Sequence, residues 1–406
     1  MDRRTISSIL LSTNPETMKH LLFLCLGICL VATSCKSTAD LSVSKTMKTA
    51  ESQLKYSLKN HTDKSTYPRS VNADGSLHAV SSKDWTSGFY PGSMWYMYQY
   101  TKDQKWTDSA AAWNAGLESA KFHTHTHDLG FVLYCSFGNG LKLTENPKYA
   151  QILLQGSQTL IKRFDPKVGS IRSWDFGTWE YPVIIDNMMN LEMLFWATKY
   201  SGDSTFYNVA VKHADTTLKN HFRPDHSSVH VVDYYKSTGE VKAKKTHQGY
   251  SDDSAWARGQ AWALYGFTVV YRETGDKKYL EQAEKIADFF LNHPNLPEDM
   301  VPYWDFNAPD IPNAPRDASA AAIAASGLLE LGRYSINGAT YFDAAEKILK
   351  SLSSPAYLAK PGTNQGFILM HSTGHMPNKS EIDVPINYAD YYYLEALLRY
   401  NMLNPE

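Results

Sequence analysis

Apolar residues recur at helical spacing along most of the chain, in two kinds of segment. In one kind nearly every position is apolar, as in "MMNLEMLFWATKY" and "ASAAAIAASGLLELG". In the other kind an aromatic residue and several Ala alternate with charged residues. A helix that is apolar on all sides must be buried, whereas a helix with one charged face can meet solvent. The pattern therefore predicts inner helices paired with outer helices.

The outer type of segment repeats along the chain, each time after a short turn containing Gly, Asp or Asn. Its copies are "YTKDQKWTDSAAAW", "LTENPKYAQILL", "YSGDSTFYNVAVKHA", "ETGDKKYLEQAEKIA" and "YSINGATYFDAAEKIL". A more apolar helical stretch precedes each copy, at 87–100, 128–143, 186–200, 253–273 and 317–334. Helices joined by such tight turns form antiparallel hairpins. The repeat therefore predicts five helical hairpins.

A sixth pair joins the two ends of the chain, because the helical stretch 388–403 can pack against 46–60. Twelve helices in six hairpins with adjacent termini indicate a closed all-α toroid and not an open solenoid. If all hairpins run in one sense, every inner helix begins at the same end of the barrel. Candidate chemistry is then expected at that end.

Composition narrows the class of ligand. The formal net charge is −2, which argues against a broad basic face for nucleic acid. Aromatic residues make up 13% of the chain, with 10 Trp and 26 Tyr. Such a content is typical of proteins that stack aromatic rings on sugars, although a Tyr-rich core explains it equally well.

The N-terminal segment indicates export. From Met18, "MKHLLFLCLGICLVATSC" has a basic start, an apolar run that is short for a membrane span, and small residues before Cys35. This order predicts a cleaved signal over 1–35 with Cys35 in a bacterial lipobox; a true start at Met18 stays open. Residues 36–45 are expected to form a polar tether, and 46–406 a single domain. We expect a periplasmic lipoprotein whose one membrane contact is the lipid at Cys35.

Polar and aromatic side chains gather at the predicted starts of inner helices. Asp is a common N-cap, and capping accounts for some of these residues. Asp186 is unusual because Val183, Ile184 and Ile185 precede it and two Met follow. Apolar surroundings raise the pKa of a carboxyl group, while a helix N-terminus lowers it. With Asp128, Asp186 makes a pair of carboxylates among Trp residues, which suggests a glycoside-processing enzyme acting on an acidic sugar.

The stretch "HQGYSDDSAWARGQAW" places Arg258 in the first turn of a predicted helix, with Trp262 on the same face. A cation there costs ~0.3 to 1 kcal/mol against the helix dipole. Two partners that would offset this cost stay open. One is the carboxylate of a ligand. The other is a salt bridge to Asp252 or Asp253, and one of these two Asp residues could also cap the helix.

A metal site is less well supported. The segment "HTHTHD" holds three His, but no second group of ligands with suitable spacing accompanies it. Phosphate-binding loops, nucleophile elbows and zinc-protease patterns are not found in the sequence either. We therefore predict neither metal nor cofactor.

The chain resembles glycoside hydrolase family 88, the unsaturated glucuronyl hydrolases, from about Trp85 to Glu395. The resemblance rests on "DWTSGFYPG", "HDLGF", "IIDNMMNLEML", "HQGYSDDSAWARGQAW" and "DYYYLEAL". It implies an (α/α)6 barrel, in agreement with the hairpin count. It also implies hydration of the C4=C5 bond of a terminal unsaturated uronic acid in lyase products, with Asp186 as acid and base. Asp128 would hold sugar hydroxyls and influence Asp186.

The resemblance further implies a set of substrate-binding residues. These are Trp85, Phe89, Trp174 and Trp256 as aromatic walls, Gln248, Arg258 and Trp262 at the C5 carboxylate, His230 beside the reacting ring, and His127. Trp179 is an alternative to Trp174. In the loop "HSTGHMPNKSEIDVP", Ser372, Lys379 and Ser380 are candidates for contacting a sulfate or the next sugar.

Two other functions stay open. An unsaturated rhamnogalacturonyl hydrolase would share the barrel and chemistry but act on pectin fragments, although "WARGQAW" and "IIDNMMN" favour the glucuronyl branch. A non-catalytic glycan-binding lipoprotein would have no need of an Asp in an apolar pocket. The expected substrates are unsaturated oligosaccharides from glycosaminoglycans.

Overall fold

The helices make up most of the regular secondary structure in residues 41–406, the part of the chain that the computed structural model describes. They are α1 (Val43–Asn60), α2 (Phe89–Thr101), α3 (Gln104–Ala115), α4 (Asn139–Thr144), α5 (Pro147–Leu160), α6 (Leu191–Ser201), α7 (Ser204–Asn220), α8 (Ala257–Thr274), α9 (Lys277–Asn292), α10 (Ala318–Leu331), α11 (Gly338–Leu352) and α12 (Asn387–Leu403). Together Leu41–Glu406 form one compact unit.

The inner helices close into a ring. In chain order they are α2, α4 with the π-helical segment that precedes it, α6, α8, α10 and α12, and each contacts the next. Helix α12 also contacts α2, so the ring has no open end. Helix α1 packs against α12 as the sixth outer helix. The predicted (α/α)6 barrel of six hairpins is confirmed.

The repeated turns of the sequence are the N-caps of outer helices. The side chains of Asp103, Asn146, Asp203 and Asp276 each accept a hydrogen bond from the backbone N–H two residues later. Such caps satisfy N–H groups that have no partner within the helix. The turns preceding α7 and α9 also use Gly202 and Gly275 at positive φ, where an L side chain is strained.

The starts of inner helices depart from the regular pattern. A π-helical segment, Gly130–Gly138, leads into α4, and a 3-10 helix, Ile185–Asn190, leads into α6. Helix α8 begins at Ala257 with Trp256 at its N-cap and no side-chain cap. The prediction that Asp252 or Asp253 caps this helix is therefore wrong.

Small sheets, which the sequence did not predict, occupy the loops between helices. Strands β1 (Thr66–Val71) and β2 (Leu77–Ser81), β3 (Phe164–Asp165) and β4 (Ser170–Ile171), and β8 (Ser372–His375) and β9 (Ser380–Val384) form antiparallel pairs. Strands β5 (Pro182–Ile184), β6 (Val231–Tyr234) and β7 (Val241–Lys245) form a three-stranded sheet. These loops carry much of the candidate site.

Helix α1 begins at Val43, three residues before its predicted start, so the last residues of the predicted tether are helical. Residues 1–40, which include the predicted signal and Cys35, lie outside the described part. Within 41–406 no helix is long and apolar enough to cross a membrane.

Candidate active site

Sheet pairing brings Asp186 and His230 together. Strand β5 ends two residues before Asp186 and pairs with β6, so that Ile184 lies opposite Val231. The backbone N–H of Ile185 then donates to the carbonyl of His230 at 3.1 Å. These contacts set both side chains at the edge of one sheet, where the 3-10 helix leads into α6.

Asp186 is a buried carboxyl group with an uncommitted oxygen. Its side chain is 10% exposed, and Oδ2 has no hydrogen-bond partner among residues 41–406. Burial raises the pKa of Asp186 to about 7, with a further rise from the charge of Asp128 and an opposing effect from Arg258. A carboxyl group that is half protonated near neutral pH can act both as acid and as base.

His230 presents an N–H to this oxygen. Its Nδ1 accepts hydrogen bonds from the backbone N–H groups of His247 and Gln248, each at 3.1 Å. The hydrogen of the neutral ring is therefore on Nε2, which lies 3.7 Å from Asp186 Oδ2. Burial holds the pKa of His230 well below its usual value. The ring is therefore neutral, and its Nε2 hydrogen has no hydrogen-bond partner among residues 41–406.

The second carboxyl group, Asp128, is held by its neighbours. Thr126 Oγ1 donates to Asp128 Oδ2 at 2.6 Å, and His127 Nε2 lies 3.2 Å from Oδ1. Burial lowers the pKa of His127, while the charge of Asp128 and a polar contact from Asn187 oppose the shift. Asn187 donates to the carbonyl of Ile171 at 2.9 Å. The charge of Asp128 raises the pKa of Asp186, so the two carboxyl groups lie within range of electrostatic interaction.

Arg258 is already paired. Its Nη1 donates to Asp317 Oδ2 at 2.7 Å and to the carbonyl of Thr373 at 2.6 Å, and its Nη2 donates to the carbonyl of Gly374. Both side chains of the ion pair are at most 1% exposed.

The alternative of Asp252 or Asp253 as the partner of Arg258 is wrong. Asp252 instead accepts hydrogen bonds from the side chain of Lys245 and from the backbone N–H of Thr246.

The predicted aromatic walls differ in exposure. Trp85 is half-buried and stacks on Tyr388 at 5.0 Å between ring centroids. Trp256 packs against His230 at 4.5 Å between centroids, and the Arg258 guanidinium group lies 4.5 Å from the centre of the same indole. Phe89 is fully buried behind Trp85 and packs edge-on against it, at 5.9 Å between ring centroids, so its role as a wall stays a prediction.

Trp262 is also fully buried, packed between Phe131 and Tyr392. Its indole N–H has no hydrogen-bond partner within the described residues, yet lies close enough to Asp186 to lower the pKa of that carboxyl group. Trp262 thus contacts the site through its N–H edge and not through an exposed ring face.

The hairpin of β8 and β9 forms another side of the site. Gln248 is half-buried, and its Nε2 donates to the carbonyl of Gly374 at 3.1 Å. Lys379 and Ser380 are exposed at the turn of this hairpin. Ser372 is fully buried in β8, and its contact with a sulfate stays a prediction.

Sequence reasoning missed three residues of the site. Asp317 was noted at a helix start, but its pairing with Arg258 spans 59 positions. His247 and His375 lie with their Nε2 atoms 3.3 Å apart, beside Trp174 and His230. Their occurrence in the stretches beginning at His247 and His371 was the one available signal. No group of three or more His, Cys, Asp or Glu in residues 41–406 is arranged to hold a metal ion.

Comparison with known proteins gives consistent matches. The model for glycosyl hydrolase family 88 matches residues 53–400. The chain is 49% identical over 388 residues to the unsaturated glucuronyl hydrolase of Formosa agariphila, covering 93% of this chain and 97% of that protein. It is 32% identical over 346 residues to the unsaturated chondroitin disaccharide hydrolase of Streptococcus pneumoniae, covering 83% and 87%. The solved structure of an unsaturated glucuronyl hydrolase specific for heparin superposes with a TM-score of 0.88 at 50% identity, covering 90% of this chain and 98% of that one.

Proposed function

The chain belongs to glycoside hydrolase family 88, and from this premise we propose that it removes the terminal unsaturated uronic acid from lyase-generated glycosaminoglycan oligosaccharides. The observation that carries the proposal is Asp186, a buried carboxyl group whose pKa is raised to about 7 and whose Oδ2 is uncommitted. The names of the similar proteins support glycosaminoglycan fragments over pectin fragments.

The proposed reaction is hydration of a vinyl ether. Protonated Asp186 gives its proton to C4 of the C4=C5 bond, and the resulting carboxylate takes a proton from the water that adds at C5. The acid is thereby regenerated, and the hemiketal formed at C5 opens and releases the shortened sugar. His230, as a neutral donor 3.7 Å from Asp186 Oδ2, is placed to hold that water.

Arg258 acts in this proposal from a fixed position. Its ion pair with Asp317 and its carbonyl partners hold the guanidinium group before substrate arrives. Its positive charge favours the uronate carboxylate, and at the same time lowers the pKa of Asp186. Preorganised charge of this kind avoids the cost of rearranging dipoles during the reaction.

A substrate panel tests the proposal. Unsaturated disaccharides from heparin, chondroitin and pectin are mixed with the protein, and loss of the ultraviolet absorbance of the C4=C5 bond is followed. We expect loss with at least one glycosaminoglycan product, none with Asp186→Asn, and wild-type rates with the exposed control Asp108→Asn. If the full panel keeps its absorbance, the chain is not such a hydrolase. Loss with the pectin product alone would instead support a rhamnogalacturonyl hydrolase.

We also propose that the protein is exported and lipidated at Cys35. The support is the order of basic, apolar and small residues before that Cys. We expect Cys35→Ser to move the protein from the membrane fraction to the soluble fraction and to abolish labelling by a radioactive fatty acid. The buried Cys135 provides the control, since Cys135→Ser keeps the label. A Cys35→Ser protein that still carries the fatty-acid label would contradict lipidation at Cys35.

A further inference from the structure

A row of aromatic rings leads outward from the catalytic carboxyl group. Next to Asp186 lies His230, whose ring is 6.3 Å from that of His247. The ring of His247 is 5.4 Å from Trp174 and 5.9 Å from Phe176. The row therefore runs from the reacting centre to Phe176, which none of the sequence motifs had singled out.

Phe176 covers Trp174 and takes its place at the surface. The two rings are stacked, with centroids 4.9 Å apart and an angle of 16° between their planes. Trp174 is only 8% exposed, whereas Phe176 is 56% exposed. The ring surface that this wall offers to a ligand is thus mainly that of Phe176.

The two residues that precede Phe176 are held in place. Trp174 forms a β-bridge with Thr126, the residue that also donates to Asp128. Asp175 accepts two hydrogen bonds from Arg163, each at 3.0 Å. An exposed apolar ring on an anchored segment loses little conformational entropy when a ligand covers it. A single exposed apolar residue needs no explanation by itself, but one fixed at the end of a ring row beside an active site does.

We propose that Phe176 is the stacking platform for the leaving-group sugar, the pyranose to which the unsaturated uronate is attached. The inference rests on the proposed function, because that reaction places the uronate at Asp186 and its neighbour further out along the ring row. An aromatic face recognises the apolar C–H face of a pyranose. Stacking on Phe176 would therefore strengthen binding of the leaving-group sugar and leave the chemistry at Asp186 unchanged.

Kinetics on unsaturated heparin and chondroitin disaccharides test the platform. We expect Phe176→Ala to raise KM between about twofold and tenfold, as loss of one ring contact does, with kcat kept. Phe176→Tyr should restore the wild-type KM, because it keeps the ring. The matched control is Phe122→Ala, since Phe122 is 60% exposed and lies outside the ring row.

An unchanged KM for Phe176→Ala, equal to that of Phe122→Ala, would overturn the proposal. A fall in kcat with unchanged KM would do so as well, because it would indicate damage to the reacting centre. Titration calorimetry with the same disaccharides in the Asp186→Asn background separates the two proposals. If wild type shows no turnover, the proposed hydrolysis fails, while weaker binding on adding Phe176→Ala would still support the platform.

Discussion

At the scale of single residues, the burial of Asp186 lowers the stability of the protein, and the proposed role of this carboxyl group as an acid explains why it is buried. A buried carboxyl group without a hydrogen-bond partner for Oδ2 is unfavourable when charged. Proteins keep such groups mainly at functional sites. Asp128, 17% exposed and held by Thr126 and His127, lies in a more polar setting. Two nearby carboxyl groups in different environments are typical of an acid and a supporting charge.

The pH dependence of the reaction follows from Asp186. Because the proposed acid must begin protonated and its pKa is about 7, kcat/KM should be lost as pH rises through that value. A profile of kcat/KM against pH measures this loss of activity, and far-ultraviolet circular dichroism at each pH shows whether the protein stays folded. Full activity persisting at high pH would contradict the role of Asp186 as acid.

Asp186→Asn should also change stability in a pH-dependent way. A pKa raised from 3.8 to about 7 on folding destabilises the ionised folded state by ~4 kcal/mol at high pH and has no effect below the unfolded value. Stability of the wild type is therefore lost as pH rises, and Asn removes this loss. We expect thermal unfolding at pH 8 to show a higher Tm for Asp186→Asn, and at pH 4 to show no gain. An equal difference at both pH values would mean that packing, and not charge, is responsible.

The ion pair of Arg258 and Asp317 leads to a prediction on stability. Removing one partner of a fully buried pair leaves an uncompensated charge, so Asp317→Ala should cost about 3 to 5 kcal/mol of unfolding free energy. Glu51→Ala, which breaks a surface pair with Lys55, should cost less than about 1 kcal/mol. Urea unfolding measures both variants. Similar small losses for the two would show that water or another group compensates Arg258.

At the scale of elements, the hairpin of β8 and β9 links opposite sides of the site. Its β8 carbonyls receive Arg258 and Gln248. Its β9 residue Glu381 accepts two hydrogen bonds from Arg69, at 2.8 and 2.7 Å, and one from Ser70. The hairpin is thus held on one side by Arg258 of α8 and by Gln248, and on the other side by residues of β1.

Glu381→Ala should loosen this hairpin without unfolding the barrel. We expect faster hydrogen exchange of the amides in 372–384 and a raised KM, because the carbonyl partners of Arg258 and Gln248 would be less well fixed. Asp383→Ala is the matched control on the same strand, since it removes only a pair with the exposed His371. If the amides exchange at wild-type rates in Glu381→Ala, the Arg69 contact does not hold the hairpin.

At the scale of the whole molecule, closure of the barrel depends on the two ends of the described chain. Helix α1 buries Val43, Met47, Ala50 and Leu54 to 3% exposure or less. The carboxylate of Glu406 accepts hydrogen bonds from the backbone N–H groups of Val43 and Ser44, so the last residue of the chain meets the first turn of α1. Closure is thus a contact between segments that are distant in sequence.

Truncation tests the importance of that closure. A chain beginning at Leu41 should fold and keep its activity, because the described unit begins there. A chain beginning at His61 should not fold, since loss of buried Met47 and Leu54 at about 2 to 5 kcal/mol each, with Val43 and Ala50 besides, approaches the stability of a typical domain. Circular dichroism and thermal unfolding compare the two chains. A cooperative transition in the shorter chain would show that the barrel closes without α1.

The order of residues along the chain was enough to predict the paired helices and the number of hairpins. Periodicity and repeated turns are local properties, so the hairpins and the turns that hold the capping residues Asp103, Asn146, Asp203 and Asp276 follow from the order of residues alone. Apolar residues around Asp186 likewise indicated an unusual carboxyl group. Such inferences succeed because hydrogen bonds within a helix and its cap join residues only a few positions apart.

Packing between distant segments determines which side chains meet. No local pattern pairs Arg258 with Asp317 across 59 positions or brings His247 to His375 across 128 positions. The burial of Phe89 and Ser372 was equally unreadable, since their neighbours come from other helices and strands. Exposure and long-range pairing depend on how separate elements pack, and the pattern within one element does not contain that information.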